Sequence, residues 1–137
     1  MSRKQARDNA FKLLFEIPFY SYQAKERLDE YFMRAEENLT ERDCAYIRQV
    51  VTTWDEHREE LDARLSKGIE NWTLDRLPRV AVAIMRLALC EMTYLEDVPY
   101  QVAINEAVEL AKIYGDDDAP TFVNGVLAGF VPGKNKE

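Results

Sequence analysis

With 137 residues, 47% apolar and 31% charged, the chain is long enough for one domain with a real core. Its 18 Lys and Arg stand against 25 Asp and Glu, for a net charge of −7. That excludes a general nucleic-acid binder held by overall charge, so any RNA contact must be a local basic patch.

Residues 3–16 are predicted as a helix, with Ala6, Ala10, Leu13, Leu14 and Ile17 as its inner stripe and Pro18 ending it. The leading M-S-R-K carries no apolar signal region. Arg3, Lys4 and Arg7 crowd the first turns, where cations oppose the helix dipole at about 0.3–1 kcal/mol each. Residues 1–12 carry +3 and the other 125 carry −10. This asymmetry points to a phosphate-facing patch, although a solvated helix end reads the same way.

A second helix spans 23–37, with Ala24, Leu28, Tyr31, Phe32 and Ala35 inward and Ser21 as a candidate cap. Thr40 and Asp43 resemble a capping box before a third, longer helix. Its stripe runs Cys44, Ile47, Val51, Trp54, Arg58, Leu61 and Leu65, in steps suited to near-parallel packing. Arg58 is expected to snorkel or pair with an acid. His57 is the only histidine and has no neighbouring ligand pattern, so it reads as structural or surface.

Gly68 marks the end of that helix or a break near it, and Asp75 is the expected N-cap of a fourth helix. From Val80 to Met92 this helix is apolar nearly all round, interrupted by Arg86 and Glu91, so it is expected at the centre of the core. A buried Arg86 demands an acid, and Glu106 in the next helix is the candidate. Cys44 and Cys90 read as buried, reduced thiols of a cytoplasmic protein. The apolar run Val80 to Leu89 is too short for a membrane span and contains Arg86.

Asp97 and Pro99 are expected to start a fifth helix with Ala103, Ala107, Leu110, Ala111 and Tyr114 on one face. Gly115 is expected as its left-handed C-cap. After the acidic turn Asp116–Asp118, Pro120 opens a sixth helix whose apolar face holds Phe122, Val123, Val126, Leu127 and Phe130. Residues 133–137 form a short polar tail, expected to be mobile. The pattern is all-α: a single domain of six to seven helices.

Nucleotide-loop and nucleophile-elbow motifs are absent, and no Cys or His set has metal-ligand spacing. The three aspartates lack the twelve-residue spread and closing Glu of an EF-hand. The chain reads as a non-enzyme with no cofactor, no metal and no small-molecule substrate.

The segment V-P-Y-Q-V-A-I-N-E-A-V-E-L-A-K-I-Y-G, followed by F-V-N-G-V-L, resembles the C-terminal signature of the NusB family of bacterial transcription antitermination factors. R-K-Q-A-R-D-N-A-F-K-L-L-F and D-R-L-P-R-V-A-V-A-I-M-R-L-A-L-C-E-M-T-Y resemble its first and central helices. Residues 20–70 match more in pattern than in letters.

The resemblance implies an all-helical RNA-binding domain over 1–132, in two packed helical subdomains. It implies binding of boxA RNA of nascent ribosomal RNA transcripts together with NusE, a small-subunit ribosomal protein, and assembly of an antitermination complex with other Nus factors on RNA polymerase. By position, Arg3, Lys4 and Arg7 match the family's basic RNA-contacting helix, and Asp118 and Phe122 match its C-terminal RNA region. Phe122 could stack on an unpaired base or pack in the core. The expected NusE face is the acidic side of the fourth helix, at Glu70, Asp75 and Glu91. Two other readings stay open. One is a helical adaptor that keeps NusE and binds RNA weakly. The other is the NusB-like domain attached to RNA cytosine methyltransferases, for whose Rossmann-like catalytic domain residues 1–137 are expected to leave no room.

Overall fold

The computed structural model describes residues 2–35, 39–70 and 73–133. Among these it has seven α-helices and one 3-10 turn: α1 (Arg3–Phe19), α2 (Ala24–Arg34), α3 (Glu41–Glu56), α4 (Arg58–Gly68), the 3-10 turn (Leu74–Arg76), α5 (Arg79–Tyr94), α6 (Tyr100–Tyr114) and α7 (Ala119–Ala128). The expected tail lies, from residue 134 on, outside the described residues.

A reciprocal capping box opens α1. Ser2 Oγ accepts from the Gln5 amide at 3.1 Å, and Gln5 Oε1 accepts from the Ser2 amide at 2.8 Å. These bonds satisfy two otherwise orphaned amides beside the cations of the first turn. The helix runs through Pro18 to Phe19 rather than stopping at the proline. Pro18 sits in the last turn, and the amides of Ser21 and Tyr22 close that end by donating to the carbonyls of Pro18 and Ile17. Ser21 takes a left-handed φ of 58°, and Gln23, not Ser21, is the N-cap of α2.

Thr40 caps α3 as expected, its hydroxyl accepting from the Asp43 amide at 3.1 Å. The single long helix expected here is two. His57, at φ −121° and ψ 22°, ends α3 and starts α4. Its ring stacks on Tyr94 of α5 at 4.2 Å, which ties the bend to the central helix. Arg58 pairs with an acid, Asp55 at 2.8 Å, as one of the two expected outcomes, and it also lies over the Trp54 ring at 4.2 Å.

In α5, Ala81 to Met92 are buried except Arg86. Pro78 is its N-cap, and Asp75 belongs to the preceding 3-10 turn instead. Likewise Pro99, not Asp97, caps α6. Gly115 is not left-handed: its φ is −93° and ψ 178°. A Cβ there would lie 2.6 Å from Ala119 Cβ and 2.9 Å from the Ala111 carbonyl oxygen. The glycine is required by the close approach of α6 and α7.

The helices form two groups joined by α5. On one side α1, α2 and α3 pack together, and on the other α6 and α7 pack on each other and on α5. One core of buried residues runs through both, with Leu14, Ile47, Trp54, Leu61, Ile84, Leu89 and Leu127 almost fully enclosed. Each such large side chain contributes about 1.5–3 kcal/mol by leaving water. No helix among the described residues is long and apolar enough to cross a membrane.

Candidate nucleic-acid interface

The N-terminal half of α1 meets α3, α5 and α6 in one charged cluster. Arg7 is buried at 5% exposure. Its Nε donates to both oxygens of Glu91, at 3.2 and 3.0 Å, and its Nη2 lies 2.9 Å from Oε2. Tyr46 of α3 completes the arrangement, donating its hydroxyl to Glu91 Oε2 at 2.8 Å. Burial pushes the Glu91 carboxyl up from its usual range. The charge of Arg7 and the hydrogen bonds from Arg7 and Tyr46 pull it back. Burial and the Glu91 charge likewise push the Tyr46 phenol up, which keeps it a donor.

This overturns two assignments. Arg7 was expected to contact RNA, and Glu91 was expected on the partner face. They are enclosed and hold each other. The Arg at the fourth residue after Arg3 lies on the inner face of α1, among Ala6, Ala10 and Phe11.

Lys4 is exposed at the edge of the cluster, and Arg3 is half-buried with its Nε enclosed. The Arg3 guanidinium lies 4.5 Å over the Tyr46 ring, a contact worth about 0.5–2 kcal/mol. Among the described residues nothing accepts a hydrogen bond from Arg3 Nε, and no carboxylate lies within ion-pair distance of this side chain. Lys4 is 59% exposed, with its Nζ 3.5 Å from Glu106 Oε1. Glu106 also lies 3.9 Å from Arg7 Nη1.

The expected Arg86–Glu106 pair does not form. Arg86 instead binds Asp62 of α4 in a two-point contact, with Nε to Oδ1 and Nη2 to Oδ2 both 2.9 Å. It is only partly buried, at 19% side-chain exposure, because it leaves α5 on the α4 side.

Asp118 is exposed at the start of α7, and its amide donates to Asp116 Oδ1 at 3.2 Å. Phe122, one turn on, is half-buried and packs on the core. The turn 116–118 follows Tyr114, whose hydroxyl donates to Asp8 at 2.7 Å and whose ring packs on Phe11 at 5.1 Å. Thus α6 joins the acidic turn to α1 at Asp8, while Lys4 meets α6 at its middle, at Glu106.

Glu70 is exposed at a left-handed φ of 55° just past α4. Asp75 lines a groove of about 220 Å³ with Phe15, Phe19, Arg79 and Arg86. This groove opens beside an aromatic run that sequence reasoning missed. Phe15 stacks on Phe19, Phe19 meets Tyr20 edge-on, and Tyr20 stacks on Tyr22. Phe19, Tyr20 and Tyr22 are 44–57% exposed. The cluster F-Y-S-Y directly after Pro18 was the available signal. Tyr46 was also missed, and its signal was its place beside Ile47 on the α3 stripe.

No three His, Cys, Asp or Glu side chains gather as a metal site among the described residues. The chemistry on offer is ionic and stacking: an exposed lysine, a half-buried arginine, an aromatic face and acidic flanks.

The comparisons with known proteins agree with this architecture. The model of the NusB family matches residues 4–132. The transcription antitermination protein NusB of Bacillus subtilis is 42% identical over 128 residues, covering 93% of each chain. The NusB structure from T. maritima superposes with a TM-score of 0.86 at 31% identity, covering 94% of this chain and 89% of that one. A crystal structure of antitermination factors NusB and NusE in complex with dsRNA contains a chain matching with a TM-score of 0.80 at 32% identity, over 93% of each.

Proposed function

The chain belongs to the NusB family, and from that premise we propose that it is a transcription antitermination factor. It binds boxA-type RNA of nascent ribosomal RNA transcripts together with NusE, and the pair promotes assembly of an antitermination complex on RNA polymerase in the cytoplasm. It works by binding, without catalysis. The observation that carries the RNA part is an exposed Lys4 and a half-buried Arg3 at the α1 terminus, with no carboxylate of the described residues within ion-pair distance of Arg3. Such groups bind phosphate with salt-dependent affinity. Asp118 and Phe122 form a second region, where the exposed part of Phe122 is available to stack on a base. The relative solved with NusE and dsRNA supports both partners.

For NusE, the support lies in the aromatic face. Phe19, Tyr20 and Tyr22 offer exposed apolar surface beside a groove that carries Asp75, Arg79 and Arg86, the aromatic composition of an interface core with a charged rim. Glu70 is a second exposed acid that could take part. The adaptor reading keeps one observation in its favour: Lys4, Arg7 and Lys12 all have carboxylate partners.

The test is a titration of labelled boxA RNA with this chain, with NusE, and with both. The expected outcome is one complex, tighter with both proteins than with either. Co-purification with NusE but no RNA binding by the pair would favour the adaptor. Binding of neither would sink the reading.

A further inference from the structure

Four cations lie in the first twelve residues, and they are held differently. Arg7 is locked to Glu91 in the core. Lys12 pairs with Asp8 of its own helix at 3.1 Å. Arg3 rests on Tyr46. Lys4 alone is an exposed cation held by an acid from another helix, Glu106 of α6. Glu91 already meets Arg7 with both oxygens, so the Glu106 charge is not needed to neutralise Arg7. Glu106 is 25% exposed and faces the surface where Lys4 would meet a phosphate.

We propose that Glu106 limits RNA affinity at the α1 terminus by competing with phosphate for Lys4. The inference rests on the RNA-binding reading above and names a residue that restrains it. Arg3, Lys4 and Arg7 together with Glu91 and Glu106 net a single positive charge. A phosphate approaching Lys4 therefore meets an ammonium that already has a carboxylate 3.5 Å away, and the gain from the new contact is offset by repulsion and by the lost ion pair. Glu106→Gln keeps the shape and an oxygen for Lys4 while removing the charge. It makes Lys4 available as a second full phosphate contact beside Arg3.

The experiment measures boxA RNA binding, with NusE present, against salt concentration for wild type, Glu106→Gln, Lys4→Gln and the double variant. Glu109→Gln is the control. It removes an equal charge one turn along α6, where Glu109 pairs with Lys112 at 3.1 Å. Glu106→Gln is expected to bind about fivefold tighter, the weight of one charge pair near 4 Å in a watery setting. Its slope of log affinity against log salt should steepen by about 0.7, one more contact on single-stranded RNA. Both gains should vanish in the double variant, and Glu109→Gln should show no change of slope. Equal behaviour of Glu106→Gln and Glu109→Gln would overturn the inference while leaving RNA binding intact. Failure of wild type and every variant to bind RNA would remove the functional reading and this inference with it. Unfolding curves for each variant separate affinity changes from loss of fold.

Discussion

Arg7 of α1 and Glu91 of α5 are 84 positions apart and form a buried ion pair, Nη2 to Oε2 at 2.9 Å, with side-chain exposures of 6% and 1%. They bolt the first helix to the central one. The pair also fixes where Arg3 points, because Tyr46 both donates to Glu91 and carries the Arg3 guanidinium on its ring.

Breaking that pair from one side strands a charge in the core. Arg7→Met and Glu91→Leu should each destabilise by about 3–5 kcal/mol. The double variant should lose less than the two combined, giving a large coupling in a denaturant-unfolding cycle. Tyr46→Phe removes only the hydroxyl and should cost about 1–3 kcal/mol. Additive losses for Arg7 and Glu91 would count against the pair.

Arg86 offers the matching test on the other side of α5. Its two-point contact with Asp62 is partly exposed, so Arg86→Met and Asp62→Leu should show a coupling of about 0.5–3 kcal/mol. Arg86 and Glu106 should show none. Coupling to Glu106 instead would contradict the packing.

The contrast between these two arginines explains how much could be read from the sequence. Apolar periodicity located the helices well, because burial has the same 3.6-residue period as the backbone. Burial also requires that Arg86 of α5 be paired, but it points to Glu106 where the partner is Asp62 of α4, and it gives no sign that Glu91 is held by α1 and α3. Arg7 was misassigned because a basic residue at a helix start looks alike whether it faces solvent or a buried acid. The α3–α4 break at His57 was invisible for a related reason: the stripe from Ile47 to Leu65 continues on both sides of it. The left-handed C-cap expected at Gly115 does not form, and the reason for the glycine is an interhelical contact that helix-end patterns do not show.

That reason separates two glycines. At Gly115 an added Cβ would meet the Ala119 Cβ and the Ala111 carbonyl, neither of which can turn aside. At Gly68 the close atom is Phe130 Cζ at 2.7 Å, the far end of a side chain that can swing. Gly115→Ala should therefore cost about 1–3 kcal/mol in thermal or urea unfolding, and Gly68→Ala less. The reverse order would contradict the α6–α7 approach.

The two thiols should differ sharply. Cys90 is fully buried, its Sγ 3.7 Å from the Val50 carbonyl, and burial pushes it up to about 12. Cys44 is only partly enclosed. An alkylating reagent at pH 8 should label Cys44 first and Cys90 only on unfolding. The raised value also has a sign for stability. Cys90 favours the folded state fully below its ordinary value near 9.0, and that contribution is lost as pH rises toward about 12. Equal labelling rates in native protein would refute the placement of Cys90.

The central claim is that Arg3 and Lys4 of the α1 terminus contact RNA, with Arg3 the one that has no carboxylate within ion-pair distance among the described residues. The most direct measurement is the salt dependence of boxA RNA binding in the presence of NusE, for wild type and Arg3→Gln. With the fold unchanged, Arg3→Gln should bind more weakly, and its slope should be shallower by about 0.7, one lost contact on single-stranded RNA. An unchanged affinity and slope would place the RNA elsewhere on the molecule.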